Sequence, residues 1–325
     1  MSRLTKTSKN IMCHGCDREI GRVHLDEIKT ILNEHYNINF DNLEFNRDGG
    51  SDSYIAFAGS HKYFLRVIKP ALFDTAASGA DIQVFLQGKG FPVPPIIFSK
   101  AQLPYVRTND KWLILYEFIE GSDVNPEHDA EAIGALVGSL HQIMKAYPGE
   151  FIVRDKQFYI GRYIDVLHRK KYKRTDEYIA YGDAIWEKVK DLPRGYCHGD
   201  MYEGNIRKTC DGKLYLHDFD TSCNGFPMYD IAILCDATDY FEFNERDFER
   251  SNKLLARFVP EYQKYHFLSQ GEIDAFHAVA AIQHFSTQAT IMELYGLDCL
   301  DDTDMDNQLD WLYKWRSLCR GNNIF

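Results

Sequence analysis

Apolar residues in positions 24–36 recur at helical spacing: Leu25, Ile28, Ile31 and Leu32 share one face and predict an amphipathic helix. Three short runs follow at 43–45, 53–58 and 62–68. Asp48-Gly49-Gly50-Ser51-Asp52 separates the first pair and Gly59-Ser60 the second, which predicts an antiparallel meander. Pro70 stops the third strand. Residues 75–87 read as a helix that ends at Gly88-Lys89-Gly90. Phe91-Pro92-Val93-Pro94-Pro95 must be extended, because the residue before each proline is pushed out of the helical region. Residues 112–119 form an apolar strand interrupted only by Glu117. After Glu120-Gly121-Ser122 the pattern turns helical, at 130–144, 178–190, 249–258 and a long tract over 272–294. The expected fold is α+β, with a small sheet-rich lobe over 1–119, carrying an N-terminal helix, and a larger helical lobe over 120–325.

Composition adds exclusions. Hydrophobic residues are 45% and charged residues 26% of the 325, an ordinary globular mix that excludes disorder, collagen repeats and a coiled-coil rod. No apolar run approaches the roughly 18–20 residues that cross a bilayer. The opening residues lack the apolar stretch of a secretory signal. A cytoplasmic protein with no membrane attachment is expected. The formal charge of −11 disfavours a nucleic-acid binder. It would suit a cationic ligand, or simply solubility.

Six aspartates lie between Asp298 and Asp310 with no basic residue among them. A solvated loop is the plain reading, and reception of a polycationic substrate the sharper one. Arg169, Lys170, Lys171, Lys173 and Arg174 form an opposing run, read as a solvated helix face. Trp311, Tyr313 and Trp315 are expected to pack the C-terminal helix rather than line a pocket. Eight cysteines in a cytosolic chain should be buried or free thiols. Cys13-His14-Gly15-Cys16 has the spacing of half a zinc site, but no second pair follows.

The chemistry concentrates in two segments. The first is His198-Gly199-Asp200 with Asn205 five residues on; the second is Leu214-Tyr215-Leu216-His217-Asp218-Phe219-Asp220. Magnesium on a triphosphate asks a protein for few oxygen ligands, since phosphates and water fill the rest of the octahedron. An amide, Asn205, and a carboxylate, Asp218, meet that demand. The Asp211-Gly212 turn makes a hairpin that brings both to one edge. Asp200 is left to orient an acceptor hydroxyl and take its proton. Asp220 either adds a metal contact or caps a turn. His217, on a strand, should face away from Asp218. A P-loop is excluded, because no Gly-x-x-x-x-Gly-Lys-Ser/Thr occurs.

This order of residues resembles the aminoglycoside phosphotransferase and choline kinase superfamily, which has a protein-kinase-like fold. The resemblance includes the Phe-Pro-Val-Pro linker, Tyr116-Glu117-Phe118-Ile119-Glu120-Gly121, Leu140-His141 and Asp230. It implies ATP and Mg2+ as cofactors, Asp200 as catalytic base, Asn205 and Asp218 as metal ligands, and His198 as a loop-shaping residue. Asp230 would brace the catalytic loop. The turn Asp48-Gly49-Gly50-Ser51 would cover the phosphates, with adenine against the strand Tyr116 to Ile119, bonded by backbone groups at Glu117 and Ile119.

Two positions depart from the pattern. Arg66 stands where the family places a phosphate-binding lysine, and arginine also binds phosphate. Lys69, three residues on, should face the other way. Where the next helix usually supplies a glutamate, the count falls on Gly79 or Ala80, with Asp81 nearby, so the usual ion pair is absent or rebuilt. The expected activity is phosphoryl transfer to a hydroxyl of a small, cationic acceptor. The alternatives are a protein serine/threonine kinase and a non-catalytic nucleotide binder.

Overall fold

The structure is a computed structural model that describes residues 18–48, 51–108 and 111–322. The Cys13–Cys16 pair and the glycines 49 and 50 lie outside the described residues. Two compact units emerge. One takes the chain up to Val124 together with Gly204–Thr221, the other Asn125–Glu203 with the chain from Ser222.

In the first unit, β1 (Asn42–Arg47), β2 (Ser51–Ala58), β3 (His61–Ile68), β4 (Val106–Arg107) and β5 (Trp112–Glu117) make one antiparallel sheet. Its order is β1-β2-β3-β5-β4. Side-chain alternation sorts its two faces. Leu65 and Val67 of β3 bury with Leu113 and Leu115 of β5 against Ile28 and Leu32 of helix α1 (Arg18–His35). Each fully buried leucine contributes about 2 kcal/mol. Ile68, Ile114 and Tyr116 bury on the other face, against Ala76 and Ala80 of helix α2 (Phe73–Gly88). Arg66 alternates with Leu65 and Val67, so it belongs to the α2 face.

The predicted strand over 112–119 ends at Glu117, so Ile119 lies beyond it. Strands Ile206–Lys208 and Leu214–Leu216 pair antiparallel around a turn in which Gly212 takes φ +85°, the left-handed region that suits glycine. The Leu216 N–H bonds to the Pro92 carbonyl at 3.0 Å, which fastens this hairpin to the proline-rich linker.

The second unit is mainly helical: α3 (Pro126–Met144), α4 (Arg162–Lys170), α5 (Thr175–Val189), α6 (Pro227–Cys235), α7 (Glu245–Tyr262), α8 (Gln270–Asp274), α9 (Phe276–Tyr295) and α10 (Asp302–Gly321). Asn125 caps α3 by accepting from the Glu127 N–H, and Pro126 occupies the first turn, where no donor is missed. Gly134 and Gly138 sit one turn apart on α3. A Cβ at either would strike the Phe258 or Tyr262 carbonyl of α7, so the two backbones approach closely. Strands Gly195–Cys197 and Cys223–Gly225 pair antiparallel, and Val153 forms a parallel bridge to Asn224.

Several expectations are corrected. The 272–294 tract starts earlier, where Ser269 and Glu272 form a capping box, and it breaks at Ala275 into α8 and α9. The basic run is not one solvated helix face. Lys171 takes φ 55° and ends α4, which leaves Lys173 and Arg174 to pair with Asp306 at 3.4 and 3.1 Å. The aspartate-rich segment is not a loop throughout. Asp301 caps α10 by accepting from the Thr303 and Asp304 N–H groups, which puts carboxylates at the positive end of a helix. Trp311 and Trp315 are buried in packing, as expected. Helix α4 was not anticipated, although Tyr163, Val166 and Leu167 mark its buried face. No helix among the described residues is long and apolar enough to cross a membrane.

Candidate active site

Arg66 organises the polar side of the first unit. Its Nη1 and Nη2 donate to both oxygens of Asp220 at 3.2 and 2.5 Å, and its Nε donates to Ser51 Oγ at 3.1 Å. Nη1 also lies 3.4 Å from Asp218 Oδ1. Burial alone would lower the Arg66 pKa, but the two carboxylates outweigh it and push the pKa up, so the guanidinium stays charged.

The ion pair that the sequence left absent or rebuilt is rebuilt: the acid that α2 lacks comes from Asp220. Gly79 makes room for it: a Cβ there would stand 2.6 Å from Asp220 Oδ1 and 3.1 Å from the Asp220 amide nitrogen. Asp81 is exposed and takes no part. Lys69 lies past the end of β3 and pairs with Asp48 and Asp52, at 2.9 and 3.5 Å.

The hairpin register pairs Ile206 with Leu216, and one step further the His217 N–H donates to the Asn205 carbonyl at 3.0 Å. Asn205 thus stands opposite His217, with Asp218 next along the chain. The strand ends at Leu216, so strand alternation does not set where His217 and Asp218 point. Asp218 instead takes φ +68°. This left-handed turn costs an aspartate about 1 kcal/mol and is characteristic of functional sites. Phe219, 2% exposed, anchors the turn. Asn205 is buried, while the Asp218 side chain is 44% exposed. At the end of β5, the Glu117 N–H is taken by the Pro95 carbonyl at 2.8 Å.

The second unit holds the His198-Gly199-Asp200 loop. Asp230, fully buried in α6, accepts from the His198 and Gly199 N–H groups at 2.6 and 2.9 Å, and its Oδ2 lies 3.1 Å from His141 Nε2. His141 Nδ1 in turn lies 2.7 Å from the Tyr262 hydroxyl. Burial raises the Tyr262 pKa, so the phenol keeps its proton and can donate it to Nδ1. The glycine contact between α3 and α7 thus sets the position of His141, and Asp230 relays it to the loop. Asp200 follows at half-buried exposure.

Sequence reasoning proposed the brace at Asp230 but not its partners His141 and Tyr262, which come from distant helices. It left Asp220 undecided. The gap at Gly79 was the available signal, because a missing acid beside a retained cation calls for an acid from elsewhere.

The oxygens of Asn205 and Asp218 are hard donors suited to a divalent cation. The chain matches the phosphotransferase enzyme family over residues 42–268, and it belongs to that family. A homoserine kinase of Methylorubrum populi is 25% identical over 185 residues, covering 51% of this chain and 56% of that protein. The chain thus spans little more than half the length of that relative. An amicoumacin kinase solved with AMP-PNP, Ca2+ and Ami superposes with TM-score 0.70 at 16% identity, covering 93% of this chain and 96% of the other. A microcompartment-associated aminopropanol kinase gives TM-score 0.65 at 14% identity, covering 89% and 94%. The α+β, kinase-like fold class follows.

Proposed function

We propose that the chain is an ATP- and magnesium-dependent kinase that moves the γ-phosphoryl group to a hydroxyl of a small molecule. The new bond joins the acceptor oxygen to phosphorus, the bond to the ADP oxygen breaks, and the hydroxyl proton passes to Asp200. Bound between phosphates and protein, magnesium would neutralise charge on the triphosphate. Asn205 and Asp218 would hold it there. Arg66 would face the phosphates with Ser51 beside it. The Glu117 carbonyl and the Ile119 N–H would meet the adenine edge, since the Glu117 N–H is already bonded to Pro95.

The observation that carries this reading is the hairpin that sets Asn205 against His217, next to an Asp218 whose half-exposed carboxylate lies 3.4 Å from Arg66 Nη1. The Arg66–Asp220 pair supplies the acid whose absence from α2 had favoured a non-catalytic nucleotide binder. The aspartate-rich segment gives weak support to a cationic acceptor, because Asp301, Asp304 and Asp306 are committed to capping and ion pairs. The named relatives act on homoserine and aminopropanol, which supports a small acceptor over a protein.

The test is Asp200→Asn, assayed with Mg-ATP against hydroxy amino acids and amino alcohols. Turnover should fall about 10²–10⁴-fold, as loss of a general base does, while the affinity for Mg-ATP holds. Wild-type turnover in this variant would remove Asp200 from the mechanism.

A further inference from the structure

Arg154 stands apart from the other strongly bonded arginines. Its residue is only 9% exposed. Among the described residues no carboxylate oxygen lies within salt-bridge range of it, whereas Arg66, Arg162, Arg174, Arg250 and Arg257 each hold one. Its backbone is pinned: the N–H donates to the Asn224 carbonyl at 3.0 Å, and its carbonyl accepts from Arg194 Nη1 at 2.7 Å. Its guanidinium lies over the Phe158 ring, 4.2 Å from the centroid, and Nη1 reaches the Gly199 carbonyl at a long 3.4 Å. That bond is too weak to satisfy a buried cation.

Burial raises the pKa values of Tyr159, Tyr229 and Cys197 against the pull of Arg154, so these three side chains do not supply a negative charge. The contact with the Gly199 carbonyl places Arg154 against the residue that precedes the candidate base Asp200. The Nε and Nη2 of Arg154 are not among the buried unpartnered atoms and so keep access to solvent, and a guanidinium fork fixed in this way matches a carboxylate in two parallel bonds.

We propose that the acceptor carries a carboxylate and that Arg154 receives it, with the acceptor hydroxyl directed to Asp200. This rests on Asp200 being the catalytic base. Because Arg154 bonds to the residue next to Asp200, the hydroxyl and the carboxylate belong to one short molecule, a hydroxy acid or hydroxy amino acid.

Three matched pairs differ only by that group: L-homoserine and 3-aminopropan-1-ol, L-serine and ethanolamine, L-threonine and 1-aminopropan-2-ol. With Mg-ATP, kcat/KM for the carboxylated member of at least one pair should exceed that of its partner at least tenfold. Arg154→Met should abolish that preference through KM, and Arg154→Lys should keep part of it. Calorimetric binding of the same compounds to Asp200→Asn, with and without Arg154→Met, reads the contact without turnover. If Asp200→Asn still turns over, the base assignment fails while the binding arm continues to report on Arg154. The proposal is overturned if wild type favours the amino alcohols, if Arg154→Met weakens both members of a pair equally, or if no carboxylated compound binds or reacts.

Discussion

Replacing Gly79 with alanine tests the rebuilt ion pair through a reversal of sign. Gly79 lies inside α2, where glycine ordinarily costs about 1 kcal/mol relative to alanine. Propensity therefore predicts that Gly79→Ala stabilises the protein. The contacts predict the opposite, since the added methyl would sit 2.6 Å from Asp220 Oδ1, 3.1 Å from its amide nitrogen and 3.2 Å from the Phe219 carbonyl carbon. Only the carboxylate can move, and moving it loosens the bidentate bonds to Arg66. Overpacking costs about 1–3 kcal/mol, and a weakened charged hydrogen bond about 1.5–3 kcal/mol when lost outright.

Set against the propensity gain, the net is a loss of about 2 kcal/mol, or about 4–8 °C in Tm for a unit of this size. Mg-ATP should bind about tenfold more weakly for every 1.4 kcal/mol felt at the phosphates. Thermal melts with and without Mg-ATP measure both. In Gly79→Ala with Asp220→Ala the blocked oxygen is gone, so the double variant should lose at least about 1 kcal/mol less than the sum of the singles. A more stable Gly79→Ala protein, or strictly additive losses, would refute the account.

Asp218→Ala should remove the magnesium-dependent part of ATP stabilisation, seen as equal melting shifts with ATP in the presence of Mg2+ or EDTA. Asp230→Asn should lower kcat at least about tenfold and Tm by several degrees with little change in the KM for ATP, because the loop amides and His141 lose a charged acceptor worth about 1.5–3 kcal/mol; unchanged kcat would leave Asp230 a packing residue only. His277 is 5% exposed, and burial pulls its pKa down to about 4 from 6.5. The unfolded chain therefore binds the extra proton first, so stability is complete above about pH 6.5 and declines as pH falls towards about 4, by at most about 3 kcal/mol. Urea midpoints at pH 7.5 and 5 should differ less in His277→Gln than in wild type.

Much of the fold was legible because it is local. The apolar runs at 62–68, entered from the Gly59-Ser60 turn and stopped by Pro70, and at 112–117 mark two strands, and strand geometry puts Arg66 on the face opposite Leu65 and Val67. The spacing of Asp200, Asn205 and Asp218, with Asp211-Gly212 between the last two, determines a loop followed by a hairpin. Element ends were less legible where they depend on side chains that fold back, as at Ser269 and Glu272, or on a single left-handed residue such as Lys171.

Tertiary structure alone decided the partners of charged groups, because a Coulomb interaction depends on distance in space and not on separation in sequence. Arg66 and Asp220 are 154 positions apart; the gap at Gly79 signals that an acid must come from elsewhere but not which one. His141, Asp230 and Tyr262 come from three helices and meet only because Gly134 and Gly138 let two of those helices touch. The basic run at 169–174 and the aspartates at 298–310 each looked solvated when taken singly; packing of α4, α5 and α10 in one unit made them each other's counter-ions. By the same logic Arg154 drew no notice as one arginine in a loop, and became conspicuous only once burial showed it without an acid.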